Sequence, residues 1–252
     1  MEFKLGKLEP KHIVSTPAFG DYLDKATTWP SVKAQGWEYA PDLGPMEMLG
    51  NDQYGDCAEA GAMHLIQAQT ANAGRPLHGT LAQTLDLYSE VTGFKQNDPD
   101  SDQGTCLLDL LRYWKSTGIT VTNAQGQPVV HKILGWASLD LSSIAQVRYA
   151  NFLFGGTYLG IQCPQSAEDD TSNWTDVPNS PVIGGHCITG VGQGAAGGHI
   201  ISWGLSIPFS WAFFLRRADE GYVVVSPEWV NAQGKSPSGL DLNGLLAALK
   251  VL

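Results

Sequence analysis

The 252-residue chain reads as an α+β protein in two lobes, with helices gathered in the first part and an antiparallel sheet in the second. Three observations predict this. Up to residue 118 the apolar residues recur at helical spacing, while after it short β-rich runs stand between turn residues. Hydrophobic residues at 43%, charged residues at 16% and 29 glycines describe an ordered, loop-rich globular chain. The expected division is an extended, proline-containing arm over 1–48 and a domain over 49–252. Its helical lobe spans about 49–120 and its β lobe about 121–252.

The elements follow in order. Pro10, Pro17, Pro30, Pro41 and Pro45 break the arm into short apolar pieces that would lie extended on the body, with one helical turn near Gly20 to Lys25. From Cys57 to about Ala73, the residues Ala58, Ala62, Leu65, Ile66 and Gln69 give a buried face, and Gly74 and Pro76 close the helix. Ala58, Ala60, Gly61 and Ala62 are small enough to admit another backbone, which predicts a central helix. A second helix runs over about 81–91. In the loop 96–104, Asp98, Asp100 and Asp102 alternate like calcium ligands, with Asp109 in the twelfth place. Gly104 is one position late for that motif and Pro99 intrudes, so a solvated loop is expected. Over 105–118, Leu107, Leu110, Leu111 and Trp114 share one face, Cys106 is a small core residue and Gly118 is the C′ stop.

Beyond residue 118 the reading is a strand over 129–134, a helix capped by Ser142 and ending at Phe154, and a buried strand over 157–163. A polar loop fills 164–181. Runs at 184–192, 199–204 and 221–226 complete an antiparallel sheet or barrel, and Asp241 would cap a closing helix over 242–252.

Composition narrows the function. A net charge of −10 argues against nucleic acid and anionic membranes as partners. The first residues lack the apolar core of a signal peptide, and no apolar run approaches membrane-spanning length, which predicts a cytoplasmic protein. Cysteines at 57, 106, 163 and 187 have no CxxC spacing, so neither a zinc site nor a disulfide scaffold is expected, and no cofactor is implied.

One stretch carries the chemistry. In the run 49–61 a polar loop enters a helix at Cys57, with Asp56 as N-cap and Glu59 three positions on, the reciprocal capping-box pattern. Free N–H groups and the helix dipole favour a thiolate there, while the Asp56 charge opposes it. By itself the stretch admits two readings, a nucleophile or a buried inert thiol. His64 lies two turns along the helix, too far to act on Cys57, and reads as a core or edge histidine. The best base is His186, which follows two glycines at a strand start, ahead of His78, His131 and His199 in context.

The order of motifs is informative. Gln53, Gly55 and Cys57 open a helix, a Gly-Thr-Cys-Leu-Leu helix follows, and then come the run from Gly185 to Gly192, Ile201-Ser202-Trp203-Gly204 and Gly221-Tyr222-Val223. Over roughly 46–230 the chain resembles the papain-like cysteine protease superfamily. The resemblance implies a two-lobed fold with Cys57 on the helical lobe and His186 on the β lobe. It implies Cys57 as nucleophile, His186 as general base and acid, and Gln53 with the Cys57 N–H as oxyanion donors. Gln53 stands four positions before Cys57, against six in papain itself. Ile201 occupies the family's asparagine position and accepts no hydrogen bond, so Ser202 or a backbone carbonyl would hold His186, with Trp203 beside it. The implied activity is a thiol peptidase or amidase on peptide or protein substrates, working through a thioester on Cys57 with a catalytic dyad. A likeness to phage-encoded proteins gives the alternative: a weak or inactive papain-fold protein with a binding or structural role, assembling with itself or in a virion through the arm.

Overall fold

The computed structural model describes residues 3–11, 16–23, 37–38 and 44–229. In chain order its helices are α1 Gly20–Leu23, α2 Cys57–Asn72, α3 Leu81–Thr92, α4 Leu107–Ser116, α5 Ile144–Phe154, α6 Gln165–Asp169 and α7 Trp211–Arg217. The strands are β1 Trp37–Glu38, β2 Leu77–His78, β3 Ile119–Asn123, β4 Pro128–His131, β5 Gly135–Ser138, β6 Thr157–Pro164, β7 Val182–Gln193, β8 Gly197–Ser202, β9 Leu205–Ser210 and β10 Ala218–Val225. The α+β class and the helices-first order are those predicted.

The main sheet runs β5-β10-β6-β7-β8-β9, with β1 added against the far end of β7. Its pairs are antiparallel and it stays open, so the barrel alternative is not formed among the described residues. A smaller sheet, β2-β3-β4, borders the helices. Two apolar clusters follow this division. Leu65, Leu107, Leu110, Leu111 and Trp114 gather around α2 and α4, while Phe154, Leu159, Ile188, Ile201 and Trp203 pack with the sheet and α5.

Several expectations shift. The strand expected over 129–134 ends at His131, because Leu134 turns to donate to Val225 O and β5 then joins the main sheet. Ser143, not Ser142, caps α5, its Oγ accepting from Gln146 N. Short β3, α6, β9 and α7 are additional. Pro208 sits in β9, where an end position in the sheet tolerates a residue without an N–H. The closing helix expected after Asp241 lies outside the described residues.

α2 is buried on nearly every side. The sheet grips it through polar side chains that end on its carbonyls: Tyr158 Oη donates to Ala58 O at 2.8 Å and Thr189 Oγ1 to Gly61 O at 2.7 Å. Gln69 reaches the other way, its Nε2 donating to Phe154 O and Val224 O. Contact at Gly61 is close enough that a Cβ there would lie 2.8 Å from Cys187 Sγ. A Gly61→Ala substitution is therefore expected to cost about 1–3 kcal/mol by overpacking. In a Cys187→Ala background that cost should fall, and urea unfolding of the four chains measures both.

Candidate active site

Cys57 opens α2 as expected, and its side chain is buried. The backbones of Cys187 and Gly6 lie beside it and pull its thiol pKa down against the effect of burial. Cys187 follows His186 on β7, so α2 packs against the strand that carries the base candidate. Gly6 belongs to the arm. That segment runs between the lobes: Lys7 N donates to Gly185 O at 3.0 Å on the β side, and Thr105 N donates to Gly6 O at 2.7 Å on the helical side. Leu8 N donates to Thr105 O, completing a parallel bridge. Gly6 threads a gap where its Cβ would lie 1.8 Å from Gly55 O, and a Cβ on Gly104 would lie 2.0 Å from Gly6 O.

His186 is fully buried. Its Nε2 lies 2.7 Å from Ser202 Oγ, and Nδ1 is buried with no hydrogen-bond partner among the described residues. The ring stacks on Trp203 at 4.6 Å between centroids, and Phe3 of the arm also stacks on Trp203, at 4.2 Å. Trp203 takes a positive φ of 50°, a conformation that costs a non-glycine residue energy and that packed neighbours must hold. Ile201, in the family's asparagine position, is buried in the sheet core.

Gln53 is not in the cleft. Its side chain is exposed and its amide faces Asp52, at 3.4 Å. The polar loop carries it outward, so the geometry does not support it as an oxyanion donor. Asn51 faces inward instead: it is buried, and Nδ2 donates to Lys4 O at 3.3 Å. Asn51 stands six positions before Cys57, the spacing associated with papain, and carries the same amide group as glutamine.

The expected capping box does not form. Asp56 makes no side-chain cap bond, and both its carboxylate oxygens are buried without a partner among the described residues. Glu59 receives the Thr105 hydroxyl at 2.8 Å rather than reaching back to the helix start. The arm and the 102–105 loop cover this end of α2, leaving these acids no water. Burial, reinforced by the neighbouring Glu59, pushes the Asp56 carboxyl up to about 9. Burial also pushes Glu59 up to about 8. The same desolvation pushes Cys57 up to about 12, outweighing the pull of those two backbones, and lowers His186 to about 3. With the arm seated, the pair is a neutral thiol and a neutral imidazole, not the thiolate that the helix start alone suggests.

The acidic loop has an inward member. Asp102 Oδ1 accepts from Gly55 N and from Tyr88 Oη, and Oδ2 lies 3.5 Å from Lys4 Nζ. Among the described residues no group of three or more His, Cys, Asp or Glu could hold a metal ion. His64, as expected, is a buried structural residue, with Nε2 3.0 Å from Glu47 O.

The fold matches the crystal structure of xylellain, a cysteine protease from Xylella fastidiosa, with a TM-score of 0.67 at 12% identity over 90% of this chain and 98% of that one. This is a papain-like fold. The same papain-like arrangement matches procathepsin B S9 from Trypanosoma congolense, at TM-score 0.58 and 12% identity over 88% and 86% of the two chains. It also matches the ragweed pollen cysteine protease Amb a 11 in its proform, at 0.55 and 15% over 84% and 70%. No protein-family profile and no curated protein sequence matches the chain. No described helix is long and apolar enough to cross a membrane.

The raised carboxyls at the start of α2 make stability depend on pH. Between about pH 7 and 9 the folded chain keeps protons on Asp56 and Glu59 that the unfolded chain has released, so stability falls as pH rises through this range. His64 and His186, both lowered, are neutral in both states there and do not contribute. Urea midpoints are expected to decline from pH 7 to 9, and Glu59→Gln is expected to flatten the decline.

Proposed function

We propose that this chain is a papain-like cysteine hydrolase whose cleft is filled by its own arm in the state described. The reading rests on Cys57 opening α2, a helix that packs against β7, the strand that carries His186. The His186 ring is fixed between Ser202 Oγ and Trp203. Cys57 attacks a peptide or amide carbonyl and His186 takes its proton. The C–N bond then breaks as His186 returns the proton to the leaving amine, and water hydrolyses the thioester. Asn51 Nδ2 and the Cys57 N–H are the donors for the oxyanion. Ser202 acts as a positioning residue, its hydroxyl holding Nε2 so that Nδ1 is left for the thiol.

Withdrawal of the arm readmits water. Solvation lowers the thiol and raises the imidazole toward their ordinary values, so both move toward the ion pair together. The likeness to structures solved as a procathepsin and a proform agrees with a covered cleft.

The second reading, a papain-fold protein with a binding or structural role, rests on the buried thiol and on Ile201 in the asparagine position. The two separate in one experiment. Gly6→Leu in the full chain cannot thread between Gly55 and Gly104 and should unseat the arm. That chain is expected to hydrolyse a mixed peptide library and to form an iodoacetamide adduct at Cys57. Cys57→Ser should abolish hydrolysis, and Ser202→Ala should lower kcat by roughly two to four orders of magnitude. No hydrolysis and no preferential Cys57 adduct would establish the second reading.

A further inference from the structure

Lys7 enters a recess in the β lobe. Its side chain is fully buried, and Nζ lies 3.0 Å from Asp219 Oδ2, 3.3 Å from Glu220 Oε1 and 3.1 Å from Leu8 O. Gly160 on β6 clears the space, because a Cβ there would lie 2.2 Å from Lys7 Cε. On the rim, a Cβ on Gly185 would lie 2.2 Å from Lys7 O. The two acids are held from behind by neutral donors: Gln162 Nε2 donates to Asp219 Oδ2 and Tyr222 Oη to Glu220 Oε2.

The charges do not balance within the recess. Two acids face one ammonium, and among the described residues Asp219 Oδ1 is buried without a partner and Glu220 Oε1 contacts only Lys7. A surplus of pre-oriented acceptors around a glycine-walled hole is the arrangement of a receptor for a cationic side chain. The recess lies one residue along the arm from Gly6, whose backbone lies beside Cys57, so whatever fills it lies close to that sulfur.

We infer that this recess is the specificity pocket of the cleft, selecting extended peptides that carry lysine beside glycine, and that residues 3–8 occupy it as an internal stand-in for such a peptide. The inference rests on the cleft being a peptide-binding site, as the hydrolase reading has it, but its test does not require catalysis. The full chain carrying Gly6→Leu and Lys7→Met keeps the acids and frees the recess. Fluorescence polarisation would then compare two labelled peptides: Phe-Lys-Leu-Gly-Lys-Leu, the arm's own sequence, and its analogue with norleucine in place of the second lysine.

The lysine peptide is expected to bind at least about tenfold more tightly, the scale set by hydrogen bonds to a charged group. Adding Asp219→Asn and Glu220→Gln should bring the ratio near one. Equal affinity for the two peptides, or binding of neither, overturns the inference. A second arm of the test leaves residues 3–8 unaltered. Asp219→Asn with Glu220→Gln in the otherwise native chain should speed amide hydrogen exchange at Lys7 and Leu8 by at least about tenfold, the factor a 1.4 kcal/mol loss gives. Unchanged protection overturns the inference even if the arm variant fails to fold. Lysine preference without hydrolysis contradicts the hydrolase reading alone, and hydrolysis without lysine preference contradicts the pocket alone.

Discussion

The seam between α2 and the β6 and β7 strands is the constraint on which the rest depends. A helix buried on nearly all sides must satisfy the sheet at backbone distance, and only small residues permit it. Gly61 does so against Cys187, and Ala58 and Gly61 lend their carbonyls to Tyr158 and Thr189. Once that seam is closed, the first residue of α2 lies under the strand that carries His186. The site is a consequence of this packing more than of any single catalytic side chain.

Desolvation then decides the electrostatics. The N-terminus of α2 offers N–H donors and a favourable dipole, yet the arm removes water from Cys57, Asp56 and Glu59 together, and each is held in its neutral form. Charge is instead concentrated beside the site, at Lys7 with Asp219 and Glu220, where the groups pair. Breaking such a buried pair from one side leaves uncompensated charge, so the arm is anchored by the same acids that would greet an incoming cation.

Much of the fold was legible because local signals and burial agreed. The small-residue helix from Cys57 and the leucine face of α4 each repeat at one period and stop near a glycine, and β6 and β7 are apolar runs with glycines at or near their starts. β9 and α7 were not legible: Pro208 interrupts the first, and the second is a two-turn helix capped by Ser210 within an aromatic run. At the candidate site, motif order singled out Cys57, His186, Ser202 and Trp203; the structure sets the His186 ring against Ser202 and Trp203 and puts Cys57 at the start of the helix that packs on β7. Gln53 reads as the oxyanion donor from its amide and its place before Cys57, but the loop turns it outward, and the buried amide six positions before Cys57 is Asn51. Asp56 and Glu59 match a capping box in sequence, but the pattern assumes a solvated helix end, and the arm covers this one. The role of Lys7 was invisible, since its acids stand more than 200 residues away.

The account stands on Cys57 and His186 becoming an ion pair when the arm leaves. The rate of Cys57 alkylation as a function of pH, in the Gly6→Leu chain with and without His186→Phe, measures this directly. The account predicts an apparent thiol pKa clearly below the ordinary value of about 8.5, lost when His186 is replaced. A profile that rises only at or above that value, and is indifferent to His186, would contradict it.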